Sequence, residues 1–130
     1  MTTLSESAQE LLEQLWIETQ EEGQAGVRTE DYASESVDEL LRQGLVERGL
    51  AGSGDRVTLT ALGLPEAAQA VRRHRLAERL LTDVLSTPEA LMDEQACRFE
   101  HVLVDGVDES ICTLLGHPRF CPHGKPIPPG

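Results

Sequence analysis

The sequence predicts a mainly α-helical protein with a small β-hairpin, on three observations. Apolar residues recur at helical spacing in several stretches, and the stretch from Thr60 to Thr87 is much the longest. One Gly-rich stretch, Ala51-Gly52-Ser53-Gly54-Asp55, precedes the alternating run Val57-Thr58-Leu59 and reads as a hairpin turn entering a strand. With only one Trp, one Tyr and two Phe, the interior must be filled by Leu, Val and Ala, which suits helices. At 130 residues and 39% hydrophobic content the chain suits one compact unit or two small subdomains sharing a core.

Residues Ser5 to Glu22 read as the first helix. Ser5 or Ser7 can cap it, acidic residues fill its first turns, Leu11, Leu12, Leu15 and Trp16 form its stripe, and Gly23 ends it. Between Gly26 and Gly44 there is room for one further helix, Glu35 to Gln43, after a short segment from Val27 to Ala33. Its stripe of Val37, Leu40 and Leu41 runs into Gly44-Leu45-Val46-Glu47-Arg48 and then the hairpin, which is how the last part of a winged helix-turn-helix reads. Thr60 is the expected cap of the long helix. Pro65 shifts its expected start to Pro65 or Glu66, and Thr87-Pro88 stops it near Leu85. A short helix from Pro88 to Met92 is expected next, then a separate one from Asp93 to Val104. A last helix, Asp108 to Leu115, carries Val107, Ile111 and Leu114 as packing or dimer surface. The Pro-rich tail from His117 has no periodicity and reads as coil. The domain division expected is 1–64 and 65–130.

Cys97, Glu100 and His101 stand at i, i+3 and i+4, so a helix would project a thiolate, a carboxylate and an imidazole from one face. The plain alternative is a partly buried Cys beside two solvated polar residues. Upstream, His74 and Glu78 are also i, i+4, inside the apolar run of Leu76, Leu80, Leu81, Val84 and Leu85. Glu10 and Glu13 are i, i+3 on the first helix, where exposed Glu pairs are ordinary. Cys112, His117, Cys121 and His123 offer two thiols and two imidazoles, a donor set for zinc, but their spacing matches no common knuckle and packing explains the tail more simply. Three cysteines without repeating spacing favour ligand chemistry over a disulfide framework.

No apolar run approaches the roughly 20 residues of a membrane span and no export signal is evident, so a cytoplasmic protein without a membrane partner is expected. The net charge of −12 argues against a DNA-coating protein and leaves room for cations. Arg72, Arg73, Arg75 and Arg79 form a local basic patch or a solvated face. No nucleophile-base arrangement, phosphate loop or nucleotide fingerprint appears, so catalysis is not expected.

The run Arg73-His74-Arg75-Leu76-Ala77-Glu78-Arg79-Leu80-Leu81-Thr82-Asp83, followed by Glu94-Gln95-Ala96-Cys97-Arg98-Phe99-Glu100-His101-Val102, resembles the diphtheria-toxin-repressor family of iron- and manganese-dependent regulators. The resemblance is to that family's metal-binding and dimerisation domain. It continues in Cys121-Pro122-His123-Gly124-Lys125-Pro126-Ile127-Pro128 and is looser before Leu45. Longer members carry a small SH3-like β-barrel beyond this point, which these 130 residues do not reach.

The resemblance implies a truncated winged helix-turn-helix with a small β-hairpin wing, joined by a long helix to a helical metal-binding and dimerisation domain. It implies a regulatory metal site of Glu10, Cys97, Glu100 and His101, a second site of His74, Glu78 and Asp93, and Glu13 as a further donor. Asp93 stands where iron-type members often place a histidine, and Glu10 where they place a methionine. The mixed N, O and S donors suit Fe(II), Co(II), Ni(II) or Zn(II), and Cys97 disfavours hard Mn(II); availability in the cell decides among them, and Fe(II) is expected first and Mn(II) second. The function implied is a homodimeric, metal-dependent transcriptional regulator of metal homeostasis, in which metal ties the first helix to the helix expected from Asp93 to Val104. The alternative is a dimer of the same family that has lost operator binding and acts through a protein partner. Dimer contacts are expected around Leu91, Ile111 and Leu114. Ser36, Arg42, Arg48 and Arg56 are the residues expected to face DNA. Typical members place two helices between Gly26 and Gly44, and here Glu30, Asp31, Glu35, Asp38 and Glu39 crowd around Arg42, so DNA binding is expected to be weak.

Overall fold

The computed structural model describes residues 4–49 and 55–130. Five helices and a three-stranded antiparallel sheet account for most of its regular structure, and the chain divides into two compact units, 1–70 and 71–130.

The first unit opens with α1, Glu6–Trp16. Ser5 Oγ accepts the Ala8 N–H at 3.1 Å, satisfying one of the free donors of the first turn. Leu11, Leu12 and Leu15 are at most 2% exposed and form the buried stripe. The helix continues as a π turn, Ile17–Glu21, and ends at Gly23, whose φ of 73° suits glycine.

β1, Val27–Arg28, was not expected from the sequence, since two residues are too few to show alternation. It pairs antiparallel with β3, Arg56–Leu59, which also pairs with β2, Val46–Arg48, giving the order β1-β3-β2. The turn expected at Ala51 to Gly54 lies outside the described residues. Gly26 is required beside this sheet, because a Cβ there would lie 2.6 Å from the Val57 carbonyl oxygen.

Between Gly26 and Gly44 the chain forms a 3₁₀ turn, Thr29–Asp31, and one α-helix, α2, Ser34–Arg42. Val37 and Leu40 of α2 join the leucines of α1, Val27, Val46 and Val57 in one apolar core. Tyr32 stands between these elements, its hydroxyl 3.1 Å from Glu18 Oε2. Burial, followed by the neighbouring Glu18 charge, pushes its phenol up to about 12. The raised value means that this contribution to stability is whole below pH ~10, where the phenol of the unfolded chain begins to ionise, and is lost as pH rises through 12. Because Tyr32 is the only tyrosine, ultraviolet titration reads it alone. The expected midpoint is about 12 in the folded protein and about 10 in denaturant. A folded midpoint near 10 would contradict the Glu18 contact.

α3, Gly63–Asp83, is the long helix and runs across the division between the units. Thr60 Oγ1 accepts the Gly63 N–H at 3.0 Å, as expected of its cap. The helix starts before the expected Pro65, because a proline within the first turn removes no helical hydrogen bond.

In the second unit, α4 is one helix, Glu89–Phe99, with Pro88 just before it. The expected break at Met92 is absent, because no residue there disfavours a helix, and Met92 and Ala96 share one buried stripe. The chain then tightens into a 3₁₀ turn, Glu100–Val102, instead of continuing as α-helix to Val104. α5, Val107–Leu114, follows. Ile111, expected among dimer contacts, packs in the core of this unit with Leu76, Leu81, Met92 and Leu103. Leu91 and Leu114 are exposed. The tail is irregular except for a bridge between Phe120 and Pro126.

Candidate metal centre

Six metal-capable side chains in the second unit are placed by helical spacing. α3 carries His74 and Glu78 one turn apart, α4 carries Asp93 and Cys97 one turn apart, and the 3₁₀ turn carries Glu100 and His101. Glu78, Asp93, Cys97 and Glu100 converge on His74. Its Nδ1 is 3.2 Å from Glu100 Oε1 and 4.0 Å from Cys97 Sγ, and its Nε2 is 3.6 Å from both Glu78 Oε1 and Asp93 Oδ1. One imidazole therefore faces three carboxylates and a thiol.

Within the second unit, two sets of ligand atoms lie within 4.8 Å of one another: His74, Asp93 and Cys97, and Glu78, Cys121 and His123. Metal–donor distances of about 2.0–2.3 Å separate two donors of one ion by at most about 4.6 Å, so small side-chain rotations would let each set close on an ion. Glu78 connects the sets: Oε1 faces His74, and Oε2 lies 3.1 Å from His123 Nδ1. It is 4% exposed and Glu100 is 2% exposed. Burial raises the Glu78 carboxyl above its ordinary range, against the pull of His74 and His123. Buried carboxylates around an imidazole and two thiols are costly as an ionised set without a cation, and they fit one.

The gathering differs from the expected pattern in two respects. Cys97 and Glu100 both reach His74 Nδ1, but His101 is not gathered with them, because the backbone becomes 3₁₀ at Glu100 and at about 120° per residue i and i+3 align while i+4 is turned away. Among the described residues, His101 joins no cluster of three donors. The four tail donors do not form one zinc site either: Cys112 Sγ pairs with His117 Nδ1 at 3.5 Å, while Cys121 and His123 turn to Glu78. Spacing alone missed the Glu78 partnership, since a link across more than forty residues leaves no local pattern.

Two of the four arginines of α3, Arg72 and Arg75, are buried, so the four do not make one solvated face. Arg72 and Arg75 are each 4% exposed and donate to tail carbonyls, while Arg79 pairs with Asp83 at 2.6 and 2.9 Å.

In the first unit, Glu10 and Glu13 stand one turn apart on α1, Glu10 exposed and Glu13 buried. Ser36, expected on a DNA-facing surface, is 6% exposed. Arg42 is exposed, Arg48 pairs with Asp55, and Arg56 donates to the Gly26 carbonyl at 3.4 Å. Residues 1–70 hold 14 of the 23 acidic residues and 4 of the 11 basic ones, so most of the negative charge lies in this unit.

A helical unit in which buried carboxylates converge with thiols and imidazoles has the make-up of a metal-binding module. The chain belongs to the diphtheria-toxin-repressor family: residues 60–129 match the family model of the iron dependent repressor, metal binding and dimerisation domain. It is 41% identical over 96 residues to the iron-dependent repressor IdeR of Mycobacterium tuberculosis, a match covering 73% of this chain and 40% of the relative. To the diphtheria toxin repressor of Corynebacterium diphtheriae it is 37% identical over 95 residues, covering 73% and 41%. A solved manganese-dependent transcriptional repressor in complex with manganese superposes with a TM-score of 0.79 and 36% identity, over 95% of this chain and 58% of that one. The chain thus spans about 40% of the length of these curated relatives, which are repressors, not enzymes.

Proposed function

We propose that the protein is a divalent-metal-dependent transcriptional repressor, acting as a homodimer in the cytoplasm to regulate metal homeostasis. The observation that carries this reading is the convergence of Glu78, Asp93, Cys97 and Glu100 on His74 in a chain of this family. His74, Asp93 and Cys97 would hold one ion, with Glu100 beside His74. Glu78, Cys121 and His123 would hold a second. Glu10, Glu13 and His101 remain candidate ligands on the strength of the resemblance.

Two thiols among the donors favour a borderline-soft ion, so Fe(II) is the ion proposed, with Co(II), Ni(II) or Zn(II) as substitutes; harder Mn(II) stands second on the strength of the family's manganese-dependent member and not of the thiols. No helix among the described residues is long and apolar enough to cross a membrane, in keeping with a cytoplasmic role. Exposed Leu91 and Leu114, with Val84 and Leu85, supply apolar surface for a second copy.

The single helix between Gly26 and Gly44 supports a shortened helix-turn-helix beside the β2–β3 wing, and the acidity of residues 1–70 supports weak DNA contact. That acidity also favours a second reading, in which operator binding has been lost and a protein partner is engaged instead. Calorimetric titration of the metal-free protein tests the metal reading: uptake of two ions per chain is expected, and no uptake of Fe(II), Mn(II) or Zn(II) would overturn it.

A further inference from the structure

We propose that Arg75 and Arg72 are positioning residues that hold the tail hairpin so that Cys121 and His123 meet Glu78. The inference rests on the second ion site proposed above.

Residues 119–127 form a small hairpin. Phe120 and Pro126 pair across it, Ile127 N–H donates to the Arg119 carbonyl at 2.8 Å, and Cys121 N–H donates to the Lys125 carbonyl at 2.8 Å. Gly124, with φ of 84°, allows the return, and its N–H donates to the Cys121 carbonyl at 2.9 Å. The Lys125 N–H donates to Cys121 Sγ at 3.3 Å. A backbone donor to a sulfur is the kind of outer bond that orients a thiolate toward an ion. The hairpin's own hydrogen bonds thus give it the form of a ligand loop.

A Pro-rich hairpin has few donors with which to attach itself to the rest of the fold. The attachment comes from α3. Arg75 Nη1 donates to the Pro126 carbonyl at 2.6 Å, and Arg72 Nη1 to the Pro128 carbonyl at 3.1 Å. The spacings match: i, i+3 on the helix places two guanidinium groups along one face, and i, i+2 on extended chain turns two carbonyls to one side. Arg72 is itself fixed by Asp108 at 3.1 Å and Glu109 at 3.0 Å. Glu78 lies one turn beyond Arg75 on the same helix, so the residues that grip the hairpin and the carboxylate that receives it share one rigid element. The charge of Arg75 also bears on the Glu78 carboxylate, but the grip of both arginines on the tail is made through its backbone carbonyls.

The test uses the full chain with Co(II) as the probe. Thiolate-to-Co(II) charge-transfer absorption is divided into the part that Cys121→Ser removes and the part that Cys97→Ser removes. In Arg75→Met the Cys121-dependent part is expected to require ~10–100-fold more Co(II), the usual effect of losing an outer-shell partner, while the Cys97-dependent part keeps its affinity. Arg75→Lys, which can still reach one carbonyl, should recover part of the loss. Hydrogen exchange at residues 121–127 of the metal-free protein should quicken in Arg75→Met, a change that an effect on the ion alone would not cause. Should Arg75→Met fail to fold, Arg75→Lys is measured in its place, with a smaller but selective loss expected. Wild-type Co(II) affinity at the Cys121-dependent site in the variant measured, or equal loss at both sites, would overturn the proposal. No Cys121-dependent absorption in the wild-type protein would instead refute the second ion site itself.

Discussion

His74→Ala is expected to lower the affinity for Fe(II), Co(II) or Zn(II) by about 100-fold or more. Its imidazole faces Glu78, Asp93, Glu100 and Cys97 at 3.2–4.0 Å, so its removal takes a donor from the proposed ion and leaves buried carboxylates facing one another. Structural zinc sites reach roughly 10–16 kcal/mol, and losing one of about four ligands removes several of these, of which each ~1.4 kcal/mol is tenfold. Cys97→Ala should act in the same direction. His123→Ala, which sequence spacing alone would class as nearly silent, should abolish uptake of the second ion, because His123 lies 3.1 Å from Glu78. Calorimetry checks all three, and unchanged affinity in both His74→Ala and Cys97→Ala would end the metal-sensor reading.

Gly63→Ala should produce the largest loss of stability among single-methyl additions, about 3 kcal/mol in the first unit. A Cβ at Gly63 would lie 1.8 Å from the Leu45 carbonyl oxygen and 2.7 Å from its carbon. Both are backbone atoms, and that oxygen also accepts the Thr60 N–H at 3.1 Å, so Leu45 cannot retreat without losing a hydrogen bond. Alanine's better helix propensity, about 1 kcal/mol, is too small to offset the clash. Urea unfolding of the two proteins checks this, and an equal midpoint would show that α3 does not begin against Leu45.

The helices were legible wherever an apolar stripe and a cap coincided. Ser5 with the leucines of α1 and Thr60 with α3 are the clearest cases. The hidden features were those set by tertiary contact. β1 owes its existence to pairing with β3, and the joining of the two helices expected between Pro88 and Val104 follows from burial of Met92 and Ala96 together. Of the candidate site, His74, Glu78, Asp93, Cys97 and Glu100 could be named from spacing and family resemblance. That Cys121 and His123 return to Glu78 depends on buried arginines reaching tail carbonyls, an interaction with no periodic signature.

The most direct test of the central claim is a mobility shift with DNA from the chain's own promoter region, at low and physiological salt, with Fe(II) or Mn(II) and with chelator. Residues 1–70 carry few arginines to neutralise phosphates, and Ser36 is buried, so affinity is expected to be modest. The account predicts a shift at low salt that requires metal, disappears with chelator and in His74→Ala, and weakens at physiological salt. Absence of any shift at low salt in the metal-loaded protein, or a shift indifferent to metal, would contradict it.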